Sequence, residues 1–350
     1  MRLARGYWAL ALLTIVGFGC GGEIEDEGLY ADAFLQALPQ SSDLQVALPG
    51  AWFDLLTATL IKAPDLGAPA EFYGDSRAEA RSLNAWAWLV PHMAGAITRL
   101  PPRELTAERA FWGPLYDPTG PGMFYLTVNK VHQPPAPLHY NWLIQAGLQS
   151  GIAIIYRIAA GSWQPAAAPD SGEGWLLINL DDLAGLDPAV SGNGLLYYHY
   201  ARSAGTVSTR VYWMGRDSLG SPFNAGYAYD HVSYLSGSLT FASQKDLDFG
   251  AGLGLAEDLL TRTRWAGMGA GRSDLIAQNG DLEASRGAIS QCWNDFFNST
   301  YELFVLAGAT VRESGDPAAC ALATPDLPVP SDLPGSTAEV ANPYGREWVY

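Results

Sequence analysis

From about Phe111 to Val305 the large apolar residues of this chain recur at every second position. Phe124, Leu126 and Val128 alternate with Tyr125, Thr127 and Asn129, and Val207, Thr209, Val211 and Trp213 alternate with Ser208, Arg210 and Tyr212. Period two sends successive side chains to opposite faces, which is the signature of half-buried strands. The same reading predicts strands at 140–145, 152–158, 175–180, 195–201, 226–235, 238–242, 260–266, 272–277, 288–293 and 300–305, about a dozen in all. Asn193-Gly194, Asn279-Gly280 and glycines 267, 269 and 271 supply tight reversals between them. One short helix, Leu180–Leu186, interrupts the series. Short links between successive strands imply an antiparallel meander, and so many strands must curl or stack to hide their edges.

Upstream the period is helical. Ala80, Leu83, Ala87, Val90, Ala94 and Ile97 recur at spacings of three and four, with Asp75-Ser76 as the expected N-cap, Pro91 as an expected kink and Pro101-Pro102 as the stop. Shorter helices are expected at 29–38 and 50–60. The expected fold class is therefore mainly β with N-terminal helices (α+β): a strongly curved antiparallel sheet, β-barrel or half-barrel with helices packed against it. The helical segment is 29–110 and the β domain 111–320. Residues 321–350 contain five prolines and read as a flexible tail.

The first twenty-odd residues carry a separate message. Met1–Arg5 has two arginines, Tyr7–Phe18 is a short apolar run, and Gly19-Cys20 precedes the acidic stretch Glu23–Glu27. That is the three-part layout of a secretory signal, with an apolar run too short for the roughly 20 residues that span a bilayer. Gly19-Cys20 resembles the lipobox of bacterial lipoproteins, with Gly17 where that motif usually carries Leu. The resemblance implies a signal peptide at 1–19, fatty acylation of Cys20, and a tether over 20–28 holding the domain to the cell envelope. Gly21, where Asp would mark inner-membrane retention, points to the outer membrane.

The chain has 36 acidic against 20 basic side chains, a net charge of −16; removing Arg2 and Arg5 with the signal would leave 18 basic residues and a net −18. Only Lys62, Lys130 and Lys245 are lysines. Nucleic acid is excluded on this balance, because phosphate binding is driven by neutralising cations. With Cys20 assigned to lipid, Cys292 and Cys320 remain in an oxidising compartment, where a disulfide is expected over two free thiols.

Motifs for chemistry are scarce. The chain has no G-x-S-x-G, H-E-x-x-H, C-x-x-C or phosphate-loop G-K-[S/T]. The glycines around 267–271 lie between two alternating segments and read as a hairpin, not a dinucleotide loop. His92, His132, His139, His199 and His231 lack ligand spacing. Asp246, Asp248, Glu257 and Asp258 read as a solvated acidic loop in preference to a calcium site. No catalytic, metal or cofactor residue is assigned; an enzyme would have to draw on His199, His231 and Asp230. What stands out is aromatic density on the strands, in Tyr197, Tyr198, Tyr200, Tyr212, Trp213, Tyr227, Tyr229 and Tyr234, which suits either a core or a hydrophobic cavity with polar tips.

Arg264-Trp265, Gly269-Ala-Gly-Arg-Ser-Asp274, Gly280-Asp-Leu282, Gln291-Cys-Trp-Asn-Asp295 with Tyr301, and Gly315-Asp316 before Ala318-Ala-Cys320 together resemble a block found in uncharacterised bacterial lipoproteins. The resemblance implies the Cys292–Cys320 disulfide and the exported, lipid-anchored state, and it implies no activity. Within the block, an Arg–Asp pair among Arg264, Arg272 and Asp274 is expected to hold the hairpin. Two roles are expected from these readings: binding a hydrophobic or amphipathic molecule in the curved sheet, or a structural and adhesive role through contact with another envelope protein. The expected partners are thus the membrane through the anchor and either a small hydrophobic molecule or a protein.

Overall fold

A computed structural model describes residues 25–334, apart from 50–65, 117–121, 133, 136, 149–154, 169–170, 188–189, 191, 204, 217–221, 233–235, 248–253 and 268. Residues 1–24, with the signal, Cys20 and most of the tether, lie outside the described residues, as do the helix expected at 50–60, Tyr234, Asp248 and 335–350.

The helices are α1 (Glu25–Gln36), α2 (Ser41–Leu44), α3 (Glu71–Thr98) and α4 (Leu180–Leu186). The strands are β1 (Glu104–Leu105), β2 (Arg109–Tyr116), β3 (Gly122–Val131), β4 (His139–Leu148), β5 (Ile155–Pro165), β6 (Gly172–Asn179), β7 (Leu195–Ser203), β8 (Thr206–Arg216), β9 (Pro222–Val232), β10 (Ser236–Lys245), β11 (Glu257–Ala266), β12 (Gly271–Gln278), β13 (Arg286–Trp293), β14 (Ser299–Leu306) and β15 (Ala309–Gly315). All fifteen strands form one antiparallel sheet in which each pairs with its neighbour in sequence, leaving β1 and β15 as its edges. The meander is therefore open and has three more strands than the alternation alone gives. β1 is two residues long, and β15 is exposed over most of its length, so neither carries an apolar alternation.

α3 begins four residues ahead of the expected cap. Its Ser76 hydroxyl donates back to the Phe72 carbonyl instead of capping a helix, and the helix runs on through Pro91. All six residues of the predicted stripe are buried. α3 touches β2 and β3 as well as β11 and β12. In a flat sheet β2 and β11 would stand about 43 Å apart, nine spacings of about 4.8 Å. Ser76, which meets β11, and Thr98 at the far end are only about 33 Å apart along the helix axis. The sheet must curl around α3, which thereby fills its concave side.

One apolar core runs through that side, from Phe34 of α1 and Leu44 of α2, along α3, to Trp112, Leu126, Trp142, Ile144, Tyr198, Tyr200, Tyr229 and Trp265 on the strands. We call the face toward α3 the inner face. Three inner indoles, those of Trp142, Trp265 and Trp293, lie over the cross-strand glycines 161, 237 and 271, where a Cβ would come within 2.4 Å of the ring. Glycine is needed there for close approach, and the ring covers the backbone that the missing side chain exposes.

Candidate functional site

The residues of the C-terminal block converge on the outer face of β11–β13. In antiparallel pairs, directly opposed residues share a face, and the register sets Arg264 opposite Arg272, Arg262 opposite Asp274, and Arg272 opposite Cys292. Asp274 is fully buried. Its Oδ1 accepts from Arg272 Nε at 2.7 Å and Ser290 Oγ at 2.6 Å; its Oδ2 accepts from Arg264 Nη2 and the Asp326 amide, both at 3.0 Å. A carboxylate offers about four acceptor sites, and four donors occupy them. This group is built to hold, not to abstract a proton.

What it holds is the chain beyond Cys320. The Cys292–Cys320 disulfide, with Cα atoms 5.4 Å apart, anchors residues 320–334 to β13. Arg272 Nη1 then donates to the Leu322 and Ala323 carbonyls at 3.3 and 3.2 Å, and Arg264 Nη2 to the Thr324 carbonyl at 2.8 Å. Arg262 pairs with Asp326 at 2.8 Å and with Asp332 at 2.5 Å. Leu333 and Pro334 lie directly over Gly226 of β9. Residues 321–334 are thus not a free tail but a strap crossing the strands from β13 to β9. Composition pointed to looseness; the two acids of the strap, facing arginines of β11, were the overlooked signal.

On the inner face the first turns of α3 are held by polar groups that periodicity could not single out. Lys245 Nζ reaches Glu71 at 2.6 Å and Asp75 at 2.7 Å, Gln291 Oε1 accepts from the Phe72 amide, and Ser76, Thr263 and Ser273 form a buried hydroxyl chain at 2.5 and 2.8 Å. Glu302, on the same face, pairs with Arg312. Burial lifts the carboxyls of Glu302 and Asp75 above their ordinary range, against the pull of Arg312 and Lys245.

The other expected groups do not converge. His199 and Asp230 lie on the outer face, where Asp230 pairs with Arg210 at 3.0 Å and His199 stands 3.9 Å from Glu173. His231 lies on the inner face beside Tyr229. The enzyme set is therefore split across the sheet. Glu257 is buried and accepts from the Leu247 and Asp281 amides, while Asp258 accepts from Gln244 and Asn279 on the opposite face. The two carboxylates thus brace loops, and Glu257 is not solvated as the sequence suggests. Among the described residues no group of three or more His, Cys, Asp or Glu is placed to hold a metal ion. No described helix is long and apolar enough to cross a membrane.

The aromatic residues divide between the faces. Tyr198, Tyr200, Trp213, Tyr227 and Tyr229 belong to the inner core; the Tyr198 hydroxyl donates to the Leu83 carbonyl of α3, and burial raises the Tyr229 hydroxyl to about 12. Tyr197 and Tyr212 instead join Trp175, Leu177 and Ala160 in a separate outer-face cluster.

At one end of the sheet the β13–β14 turn forms an aromatic rim. The Asn294 side chain accepts from the Phe296 and Asn298 amides, the Phe297 amide donates to the Asn294 carbonyl, and Phe297 sits at φ +60° with its ring stacked on Tyr73, 4.9 Å away. Residues 67–70 brace the turn through three backbone hydrogen bonds of 2.8 Å to Phe297 and Ser299. This braced turn leaves the Phe296 side chain 81% exposed.

No protein-family model, curated protein or solved structure matches this chain.

Proposed function

We propose that this protein is a lipid-anchored protein of the cell envelope that acts through contact with another envelope protein, made at the rim around Phe296. The observation that carries the reading is a large apolar ring held in water by a braced turn. Nothing in folding rewards such exposure, whereas a partner pocket would bury on the order of 150 Å² of aromatic surface. The strongly anionic remainder of the surface favours a partner with a basic margin around its pocket.

The carrier role asks for a hollow beneath the sheet. α3 occupies that side with Ala87 and Val90 fully buried, so a lipid would have to displace a packed helix. The anchor in this proposal is acylated Cys20, after removal of 1–19, and the outer membrane is its site. No cofactor, metal or nucleic acid enters the reading.

Crosslinking in intact cells tests it. Wild-type protein should recover one constant protein neighbour, and Phe296→Asp should lose that neighbour while unfolding within about 0.5 kcal/mol of wild type, as exposed substitutions do. An unchanged crosslink would retire the rim as the contact. Cys20→Ala should release the protein from membranes, and native mass spectrometry should find no bound lipid beyond the acyl anchor.

A further inference from the structure

Three arginines lie side by side beneath the strap. Arg262, Arg264 and Arg272 share the outer face of β11 and β12 with Asp274. Asp274 grips Arg264 Nη2 and Arg272 Nε, so both guanidinium groups keep their places whether or not the strap lies over them. Arg262 is steadied by its Nε donating to Thr240 Oγ1 of β10 at 3.3 Å. Three cations less one anion leave two positive charges for the strap to neutralise, on a chain of net charge −16. A row of preorganised guanidinium forks suits carboxylates and carbonyl oxygens.

The strap meets that chemistry in the manner of a bound peptide. Asp326-Leu327-Pro328 recurs as Asp332-Leu333-Pro334. In each copy the acid pairs with Arg262 and the proline is buried. Those two prolines are the only buried residues among 321–334, and Leu327 and Val329 are exposed. Beyond Cys320 the strap is thus fastened mainly by partly exposed ion pairs and hydrogen bonds, which contribute little each and weaken with salt. Segments that bury so little apolar surface open first. The fit is also incomplete, because Arg264 Nε is buried and meets no acceptor among the described residues. A ligand with an acceptor at that point would satisfy the arginines more fully than the strap does.

We propose that the outer face of β11 and β12 is a binding strip for an acidic, extended peptide segment of another protein, and that the strap is its competitor within the same chain. The partner's carboxylates take Arg262 in place of Asp326 and Asp332, and its carbonyls take Arg264 and Arg272. The strap then swings away on the Cys292–Cys320 disulfide, which keeps it tethered for return. This surface is separate from the Phe296 rim and does not depend on it.

The probe is a fluorescein-labelled synthetic peptide of residues 321–334, followed by anisotropy on the disulfide-bonded, full-length protein. Wild type should bind it weakly, because its own strap competes. Asp326→Asn with Asp332→Asn unfastens the strap without removing it and should tighten binding about tenfold or more, the factor being set by how rarely the wild-type strap is open. Adding Arg262→Gln should abolish that gain, and the peptide with both aspartates changed to asparagine should not bind. In wild type, added salt should speed hydrogen exchange in 321–334 while β11–β13 stay protected. Equal affinity in wild type and the double variant, or a gain that survives Arg262→Gln, would overturn the proposal. So would inorganic phosphate binding as tightly as the peptide, which would make the strip a small-anion site. A strap whose exchange ignores salt would overturn it too, and this arm decides alone if a variant does not fold.

Discussion

At the scale of single residues, the molecule places charge in its interior and holds it by saturation. Asp274 is stable there because every acceptor site has a donor; Glu302 is not so well served, having Arg312 as its ion-pair partner. Burial raises the Glu302 carboxyl. A carboxyl raised in the folded state contributes stability below its unfolded value and loses that contribution as pH climbs through the raised one. Glu302→Gln should therefore stabilise the protein at pH 8 and lose this advantage near pH 4. Urea titrations of both proteins across that range check the slope, and an advantage that grew on acidification would contradict it. Glycine works at the same scale. At Gly271 a new Cβ would lie 2.4 Å from both the Arg264 carbonyl and the Trp293 ring, so Gly271→Ala should cost about 1–3 kcal/mol, as overpacking does. Differential calorimetry would expose the error if the variant melted with wild type.

Elements are where the sequence was most and least informative. α4 was legible to the residue because its apolar turn sits between an Asn cap and Asp-Pro; the long stripe of α3 was legible because a helix enclosed by a sheet must bury one face throughout. The start of α3 was misread, since Ser76 looks like a cap and is used as a buried hydroxyl link to Thr263. The strap was misread for a related reason. Its order comes from partners 50 or more residues away in sequence, such as Arg272 with Leu322, and no local pattern reports those. The Cys292–Cys320 link was legible by cysteine arithmetic, and it closes a loop of separation 28. In the chain-entropy model such a loop contributes about 3.6 kcal/mol. Replacing both cysteines by alanine should lower stability by roughly that amount and raise hydrogen exchange in 321–334 first. If exchange rose instead throughout the sheet, the strap would be part of the core and not a belt laid upon it.

For the whole molecule, the division into a helical segment and a β domain describes the sequence and not the folding unit. The core that contains Leu83, Ala87 and Val90 of α3 also contains Trp112 of β2 and Tyr229 of β9. Among the described residues all fifteen strands lie in one open sheet, and the helix supplies the layer over its concave face. The sheet without α3 would present a continuous band of Trp, Tyr and Leu to water, and α3 alone would be a long helix with one apolar stripe and nothing to bury it. Each therefore stabilises the other, and neither should survive partial unfolding. Leu83 is the place to test this, being buried and bonded through its carbonyl to Tyr198 of β7. Leu83→Ala should cost about 2–5 kcal/mol. Helical circular dichroism and tryptophan fluorescence, which weights the strands, should lose amplitude at one and the same denaturant midpoint in both proteins. Were the helical signal to melt ahead of the fluorescence in the variant, α3 would be a detachable lid over the sheet, and a ligand cavity beneath it would again become the better account of what this fold is for.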